Sequence, residues 1–366
     1  MKIVRIETFA LKIPLQRTIR MSIGSVSEVD HVVVIVHSDK GIRGFGEAAS
    51  EYGPIFSEEF QASIQTCIDK YLAPAVIGEN PLNLERIVEK MDQVAKGNWF
   101  AKSAIEMALL DLVGKGLNLP VCQLIGGIYR KSVPLSHGAY TMDIDEEVGT
   151  SVEHVRQGWS LIKMKVGALD PSYDIMRLKR IREAVGPDCR IGVDANQAWT
   201  RDKAVKIVKT MEAYDLEFVE QPLPRWDLAG MAELAQAVDT PIMADESVFT
   251  PEDAIRCVQY RAADVFSIKV SKAGGLWKAK KIAAIGEAAG IPCYVGGMAE
   301  TGIGVAASLH FAASTPNCTY GCELRPNCVK DIVVPEIKVE KGYIFVPQGP
   351  GLGIDIDENV MKSYMT

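Results

Sequence analysis

Apolar and polar positions follow two different rhythms along the chain. Over residues 1–50 the runs IVRIETFAL and HVVVIVHSD, the turn DKG and IRGFGEA follow one another with short polar breaks, which predicts an antiparallel β-meander. Residues 57–118 change to apolar positions three and four apart, in SEEFQASIQTCIDKYLAPAVIG, LNLERIVEKMDQVA and KSAIEMALLDLVGKGLNL, the spacing of helices with a buried face. These segments predict an N-terminal α+β domain over residues 1–125. From about residue 133 short apolar strands alternate with amphipathic helices. The strands are VPLSHGAYT, LIKMKVG, CRIGVDAN, LEFVEQP, TPIMADES, VFSIKVS, PCYVGG and TYGCE. Such alternation favours parallel βα units. Six or more in series, without a GxGxxG phosphate loop, favour an α/β barrel of TIM type over a doubly wound sheet, here across residues 126–325. The tail, residues 326–366, lies beyond the barrel and is expected to pack back on the N-terminal domain.

The strand 161-LIKMKVG-167 breaks its own pattern. Lys163 and Lys165 sit inside an apolar run, and residues i and i+2 of a strand share a face. Polar residues recur at the ends of the later strands: Asp194 and Asn196, Glu220, Asp245 and Glu246, then Lys269, about 24–29 positions apart from one strand to the next. In a TIM barrel those strand ends meet at one mouth. Three converging carboxylates repel unless a cation lies between them, and hard oxygen ligands suit Mg²⁺ or Mn²⁺. Beside Lys163 and such an ion, the Lys165 ammonium is harder to keep protonated, which makes it a general base. Lys269, arriving from across the mouth, offers a second acid/base to the opposite face of one carbon. A carboxylate held between two such groups can lose its α-proton and form an enolate, the arrangement known from the enolase superfamily.

Composition narrows the partners. The net charge of −7, with 24% charged and 48% hydrophobic residues, is that of a globular chain without the basic face nucleic acid or an anionic membrane surface requires. No apolar run reaches the roughly 18–20 residues of a membrane span. The opening MKIVRIETFALKIPL reads as a strand and not as an export signal. Eight scattered cysteines, without paired CxxC motifs, read as buried reduced thiols and point to the cytoplasm. Trp199 and Trp226 are expected to be packing residues.

The motifs together resemble one family. Lys163-x-Lys165, VDANQAW at 193–199, VEQPL at 219–223, MADES at 243–247 and IKVSKAGG at 268–275 are similar to those of the muconate-lactonizing subgroup of the enolase superfamily. The likeness extends to KGNWFAKSAIEMALLDLVGK at 96–115 and PGLGID near the C-terminus. It implies a modified (β/α)7β barrel under an α+β capping domain. It also implies Asp194, Glu220 and Asp245 as ligands of Mg²⁺ (or Mn²⁺), Lys165 and Lys269 as the acid/base pair, and Lys163 as partner of the substrate carboxylate. A mandelate-racemase-type enzyme would carry a His on a late strand, where this chain has Lys269.

The segment 319-TYGCELRP-326, with Glu323, resembles the muconate cycloisomerases and lacks the Asp-x-Asp pair of dipeptide epimerases; GGMAETGIGVAASLH, with Glu300, and GNWFAKS are similar to the cycloisomerases too. Lid loops are expected near 16–30 and 50–56, supplying Arg20 for a distal carboxylate and Glu51 and Tyr52 for substrate contact. Asn196, Glu246, Glu300 and Glu323 complete the expected contacts. The leading expectation is a cycloisomerase of a muconate-like dicarboxylate. The alternative is a racemase or epimerase of an N-acyl amino acid, a dipeptide or a related derivative. A syn dehydratase and a non-catalytic binding protein follow. The substrate is a small-molecule carboxylate in each enzymatic case, and the resemblance implies a homo-oligomer.

Overall fold

The structure is a computed structural model that describes residues 1–50 and 53–366. Glu51 and Tyr52 lie outside the described residues. The first three strands, β1 (Ile3–Met21), β2 (Gly24–Ser38) and β3 (Arg43–Ser50), form an antiparallel sheet in that order. The helices Gln61–Cys67, Leu84–Val94 and Trp99–Leu117 complete the capping domain. The helix Trp99–Leu117 lies directly on β3. A Cβ at Gly44 would stand 2.0 Å from the Ala108 carbonyl oxygen, and one at Gly46 would stand 1.9 Å from that of Ala104. Only glycine permits so close an approach of strand to helix. Residues Phe100–Gly114 of this helix are buried all round, which marks an element enclosed between layers and not one at a surface. Its buried acids bind backbone amides of both layers: Glu106 accepts from Trp277 N (2.8 Å), and Asp111 from Phe45 N (2.9 Å) and Leu352 N (2.7 Å).

The barrel follows. β4 (Ser132–Pro134) stays outside it. β5 (Ser136–Ala139), β6 (Leu161–Lys165), β7 (Arg190–Asp194), β8 (Leu216–Glu220), β9 (Ile242–Ala244), β10 (Val265–Ile268), β11 (Cys293–Val295) and β12 (Cys318–Cys322) pair in parallel in sequence order. A parallel bridge between Leu135 and Cys322 brings the two edges together. The outer helices Ile144–Arg156, Pro171–Val185, Arg201–Met211, Leu228–Ala237, Pro251–Tyr260, Leu276–Ala289 and Gly302–Ala313 connect the strands, which makes the barrel (β/α)7β. This is the expected architecture. Inside, Leu161, Phe218, Met243, Val265 and Tyr294 form a separate apolar layer. On β6, Leu161 points into that layer while Ile162, Met164 and Val166 join the larger core outside it. Period-2 alternation then turns Lys163 and Lys165 inward, one and two steps above Leu161.

The tail returns to both domains. β13 (Val333–Val334) pairs with β16 (Asp355–Ile356), while β14 (Val339–Glu340), β15 (Tyr343–Phe345) and β4 form a small sheet. Beyond the helix Glu358–Ser363, Met365 bridges to Leu11 of β1.

Two expectations need correction here. The segment 16–30 is no loop: β1 runs through to Met21 and turns at Ser22–Ile23 into β2. The register slips between Pro14 and Ile19, where Gln16 N bonds Asn327 O at 2.7 Å, and just beyond the slip Arg20 N bonds Tyr140 O at 3.1 Å. The hairpin tip is therefore pinned over the barrel mouth, with Ser22 Oγ donating to the Ala195 and Asn196 carbonyls, each at 2.9 Å. Trp226, expected in packing, is 77% exposed, whereas Trp199 is buried.

Candidate active site

Four buried lysines and five acids interleave at the mouth. Lys163 Nζ lies 2.9 Å from Glu220 Oε2, 3.5 Å from Asp194 Oδ2 and 2.5 Å from Glu323 Oε2. Lys165 Nζ donates to Asp194 Oδ2 (2.6 Å) and Asn196 Oδ1 (2.9 Å). Lys269 Nζ donates to Asp245 Oδ2 (2.8 Å) and lies 4.6 Å from the Phe56 ring centroid. Lys272, from the helical turn Val270–Ala273 just after β10, donates to Asp245 Oδ1 (2.7 Å), Asp245 O (2.5 Å) and Ser267 O (3.0 Å). The fifth acid, Glu246, accepts from Asn196 Nδ2 at 3.1 Å.

The backbone beneath is held at cost. Asn196 (φ 40°) and Gln221 (φ 33°) occupy the left-handed region just beyond β7 and β8. Asn196 N is fixed by Asp194 Oδ1 (3.0 Å), and Gln221 Oε1 accepts from Asp245 N and Ser247 N, each at 3.0 Å.

Burial and crowding divide the acids. Burial first, and then the neighbouring Asp194, push the Glu220 carboxyl up to about 7 against the pull of Lys163. Burial, Asp245 and Asp194 push Glu246 up to about 8. For Asp245 burial is outweighed by Lys269 and Lys272, which hold it well below the usual carboxylate range. Asp194 is likewise lowered, burial yielding to Lys165 and Lys163. The Lys163 and Lys269 ammonium groups are both stabilised despite burial, the first by Glu220 and Glu323, the second by Asp245 and Glu220.

Among the described residues no three acidic, histidine or cysteine side chains stand close enough together, as they are, to hold an ion. Each of Asp194, Glu220 and Asp245 instead turns an oxygen to a lysine. Two observations nonetheless fit a divalent cation. Glu220 Oε1 and Glu246 Oε2 are buried without a hydrogen-bond partner, a costly state for a carboxylate oxygen. The buried acids also push one another's protonation upward, the repulsion a bound cation would relieve.

Above the lysines opens a cavity of about 410 Å³, within the range of small-molecule sites. Lys165, Lys269, Asn196 and Glu323 line it. Arg20 does not: it is exposed, and from β1 it is Gln16, Arg17, Ile19 and Met21 that line the wall. Glu300 is absent from the wall too; it is buried beneath the loop after β11 and accepts from Met298 N at 2.7 Å. Asp194, Glu220, Asp245 and Glu246 lie below the cavity, behind the lysines. Arg17, His137, Tyr140, His154, Trp159 and Arg325 of the wall, and Lys272 beneath it, are not among the residues expected from the sequence. For Lys272 a signal was present in IKVSKAGG, where a second lysine follows the first by three residues. Arg325, in the irregular segment after β12, had no local signal.

Comparison with known proteins agrees with the fold. Residues 4–126 match the family model described as mandelate racemase / muconate lactonizing enzyme, N-terminal domain, and residues 147–360 match the enolase C-terminal domain-like model. The L-Ala-D/L-Glu epimerase of Bacillus subtilis is 38% identical over 97% of both chains. The structure of a muconate lactonizing enzyme from Pseudomonas fluorescens, complexed with muconolactone, superposes with a TM-score of 0.98 at 33% identity, covering 100% of this chain and 99% of the other. An N-succinyl Arg/Lys racemase from Bacillus cereus gives 0.95 at 33% identity, over 100% and 98%. Members of the superfamily generally use Mg²⁺. The chain is an enzyme of the enolase superfamily and belongs to its muconate-lactonizing subgroup.

Proposed function

We propose that the chain is a divalent-metal-dependent isomerase that moves a proton between the two faces of the α-carbon of a carboxylate substrate, with N-acylated amino acids as the substrate class. One observation carries this reading. In the ring of eight strands β6 and β10 stand opposite, with three strands between them in either direction, and Lys165 and Lys269 reach the same cavity from them. Two-sided access is what 1,1-proton transfer needs. One lysine as free amine takes the α-proton, and the other, as ammonium, returns a proton to the opposite face.

The chain's own residues supply the rest. Asp245 and Glu220 favour the ammonium of Lys269, which suits it to start as the donor. Asp194 and Asn196 fix the Lys165 amine in direction. Lys163, already among three acids, offsets the charge of the substrate carboxylate. Residues of the cap hairpin and Phe56 line the mouth. Asp194, Glu220 and Asp245 would hold the Mg²⁺ or Mn²⁺ ion, which when bound supplies Lewis-acid stabilisation of charge on the substrate carboxylate.

Lactonization of a muconate is the second reading, supported by the close full-length likeness to a muconate lactonizing enzyme. It needs one proton-delivering lysine, and the second is then surplus. Incubation in D₂O with Mg²⁺ separates the two. Deuterium should enter the α-carbon of N-acyl amino acids as their optical rotation decays. Loss of muconate ultraviolet absorbance without any such exchange would overturn the racemase reading.

A further inference from the structure

A buried ion network stands behind Lys165, out of reach of the substrate. Arg177 and Asp174, on the helix Pro171–Val185, and Glu147, on the helix Ile144–Arg156, are all buried, and none of the three lines the cavity. Arg177 donates through Nε to Glu147 Oε2 (2.9 Å), through Nη2 to Glu147 Oε1 (2.6 Å) and through Nη1 to Asp174 Oδ1 (2.7 Å). Charges enclosed in this way are costly to desolvate, and the pairing alone is weak evidence of a role in stability. The remaining bonds of the network go to backbone at and just beyond the ends of β5 and β6. Arg177 Nη1 also donates to the Lys165 carbonyl oxygen (3.1 Å), Asp174 Oδ2 accepts from Gly167 N (2.7 Å), and Glu147 Oε1 accepts from Met142 N (2.9 Å).

The Lys165 carbonyl needs such a donor. Val166 N turns to β7 and donates to Asp194 O at 2.9 Å, so the carbonyl before it points the other way, toward β5. Pairing of β5 with β6 ends at Ala139–Met164, one residue short of Lys165. Arg177 and Asp174 take over from the missing strand and satisfy Lys165 O and Gly167 N with side chains. Lys269 is held differently. Its carbonyl accepts from Ala273 N (3.0 Å) of its own helical turn, and among the described residues no hydrogen bond joins it to the network.

We propose that Glu147, Arg177 and Asp174 are positioning residues for Lys165 alone: they fix the end of β6, and with it the reach of one of the two bases, and leave Lys269 independent. The assignment rests on Lys165 as a proton carrier, and its two-sided readout rests on the racemase reading.

The test uses the full chain with Mg²⁺ and follows α-proton exchange in D₂O for the separate L and D forms of an N-acyl amino acid. Arg177→Lys keeps a charge between the acids, but an ammonium cannot reproduce the planar fork that reaches Lys165 O. Exchange of one enantiomer should fall by about tenfold to a hundredfold, in kcat and not in KM, the cost of misplacing one reacting group. The other enantiomer, served by Lys269, should exchange at nearly its wild-type rate. The slowed form should be the one that Lys165→Ala stops exchanging. The ratio of the two rates does not depend on how much of the variant is folded, so a merely structural role leaves it unchanged. An equal loss for both forms, no loss, or a loss confined to the form that Lys269 serves overturns the assignment. Should Arg177→Lys fail to fold, Asp174→Asn keeps the Arg177–Glu147 pair and carries the same prediction with a several-fold effect. If the wild type exchanges no N-acyl amino acid, the racemase reading fails, and trace labelling of the amines with acetic anhydride decides the positioning without substrate. Acetylation of Lys165 relative to Lys269, read by peptide mass spectrometry, should rise several-fold in the variant as the strand end loosens. A ratio that does not rise overturns the assignment.

Discussion

Lys272→Met tests how the acids at the barrel mouth are balanced. The side chain is fully buried and gives three hydrogen bonds, two of them to Asp245. Methionine fills similar volume without the charge. Five carboxylates (Asp194, Glu220, Asp245, Glu246, Glu323) would then share three ammonium groups instead of four. Breaking a buried pair by removing one partner costs about 3–5 kcal/mol, and because Lys269 still holds Asp245 we expect the lower end, about 3 kcal/mol. That loss should appear in urea unfolding with EDTA. With saturating Mg²⁺ the outcome should differ. A ligand at about 100 times its dissociation constant stabilises the native state by about 2.7 kcal/mol. The variant, with one cation fewer beside Asp245, should bind the ion more tightly than the wild type, so Mg²⁺ should recover more stability in it. A variant as stable as the wild type in EDTA would show that Lys272 does not support Asp245. Mg²⁺ shifting neither protein would remove the carboxylates as ion ligands.

Other perturbations report on separate parts of the molecule. Lys165→Ala and Lys269→Ala should each lower α-proton exchange by about 10²–10⁴-fold, while the Mg²⁺-induced rise in urea midpoint persists; exchange near wild-type rate in either would remove that lysine from the chemistry. Gly46→Ala should cost at least about 2 kcal/mol and lower Tm, since its Cβ would overlap the Ala104 carbonyl; an unchanged Tm would contradict the packing of β3 on its helix. His310 is buried and neutral, its Nδ1 accepting from Cys122 N and its Nε2 donating to Leu352 O, and burial holds it at about 4 against an unfolded 6.5. Its contribution is complete above pH 6.5 and lost as pH falls through 4, up to about 3 kcal/mol, so His310→Gln should flatten the acid limb of urea midpoint against pH. Equal slopes in the two proteins would refute this.

Where a side chain's direction follows from the parity of a regular strand, the sequence carried the answer. Lys163 and Lys165, two apart in an apolar strand, share a face, and the acids of β7 and β8 stand at strand ends. In Arg17-x-Ile19-x-Met21 every second residue lines the cavity, Gln16 joins them where the register slips, and Arg20 falls between. Taken as a loop, the stretch has no parity, and Arg20 is as good a candidate as Arg17. The slip between Pro14 and Ile19 hides the strand, because pairing there passes from β2 to residues 327–329, some three hundred positions away. Glu300 failed for another reason: a loop has no period, so nothing local tells whether its acid serves a ligand or its own backbone. The His137–His154 stack was equally out of reach, since it joins a strand to the helix after it through tertiary packing alone.

The helix Trp99–Leu117 has a consequence for how this chain can be taken apart. By sequence it belongs to the N-terminal family model, yet Glu106 binds the start of a barrel helix and Asp111 binds both β3 and the tail. The border between the two matched regions is thus a boundary of ancestry and not of cooperativity. A barrel expressed from residue 127 onward would lose the helix that bonds its Leu276–Ala289 segment, and a cap ending at 126 would bare that helix's barrel-facing side to water. Grafting a relative's cap to change specificity should succeed only when its own copy of this helix, and the barrel surface that receives it, travel along.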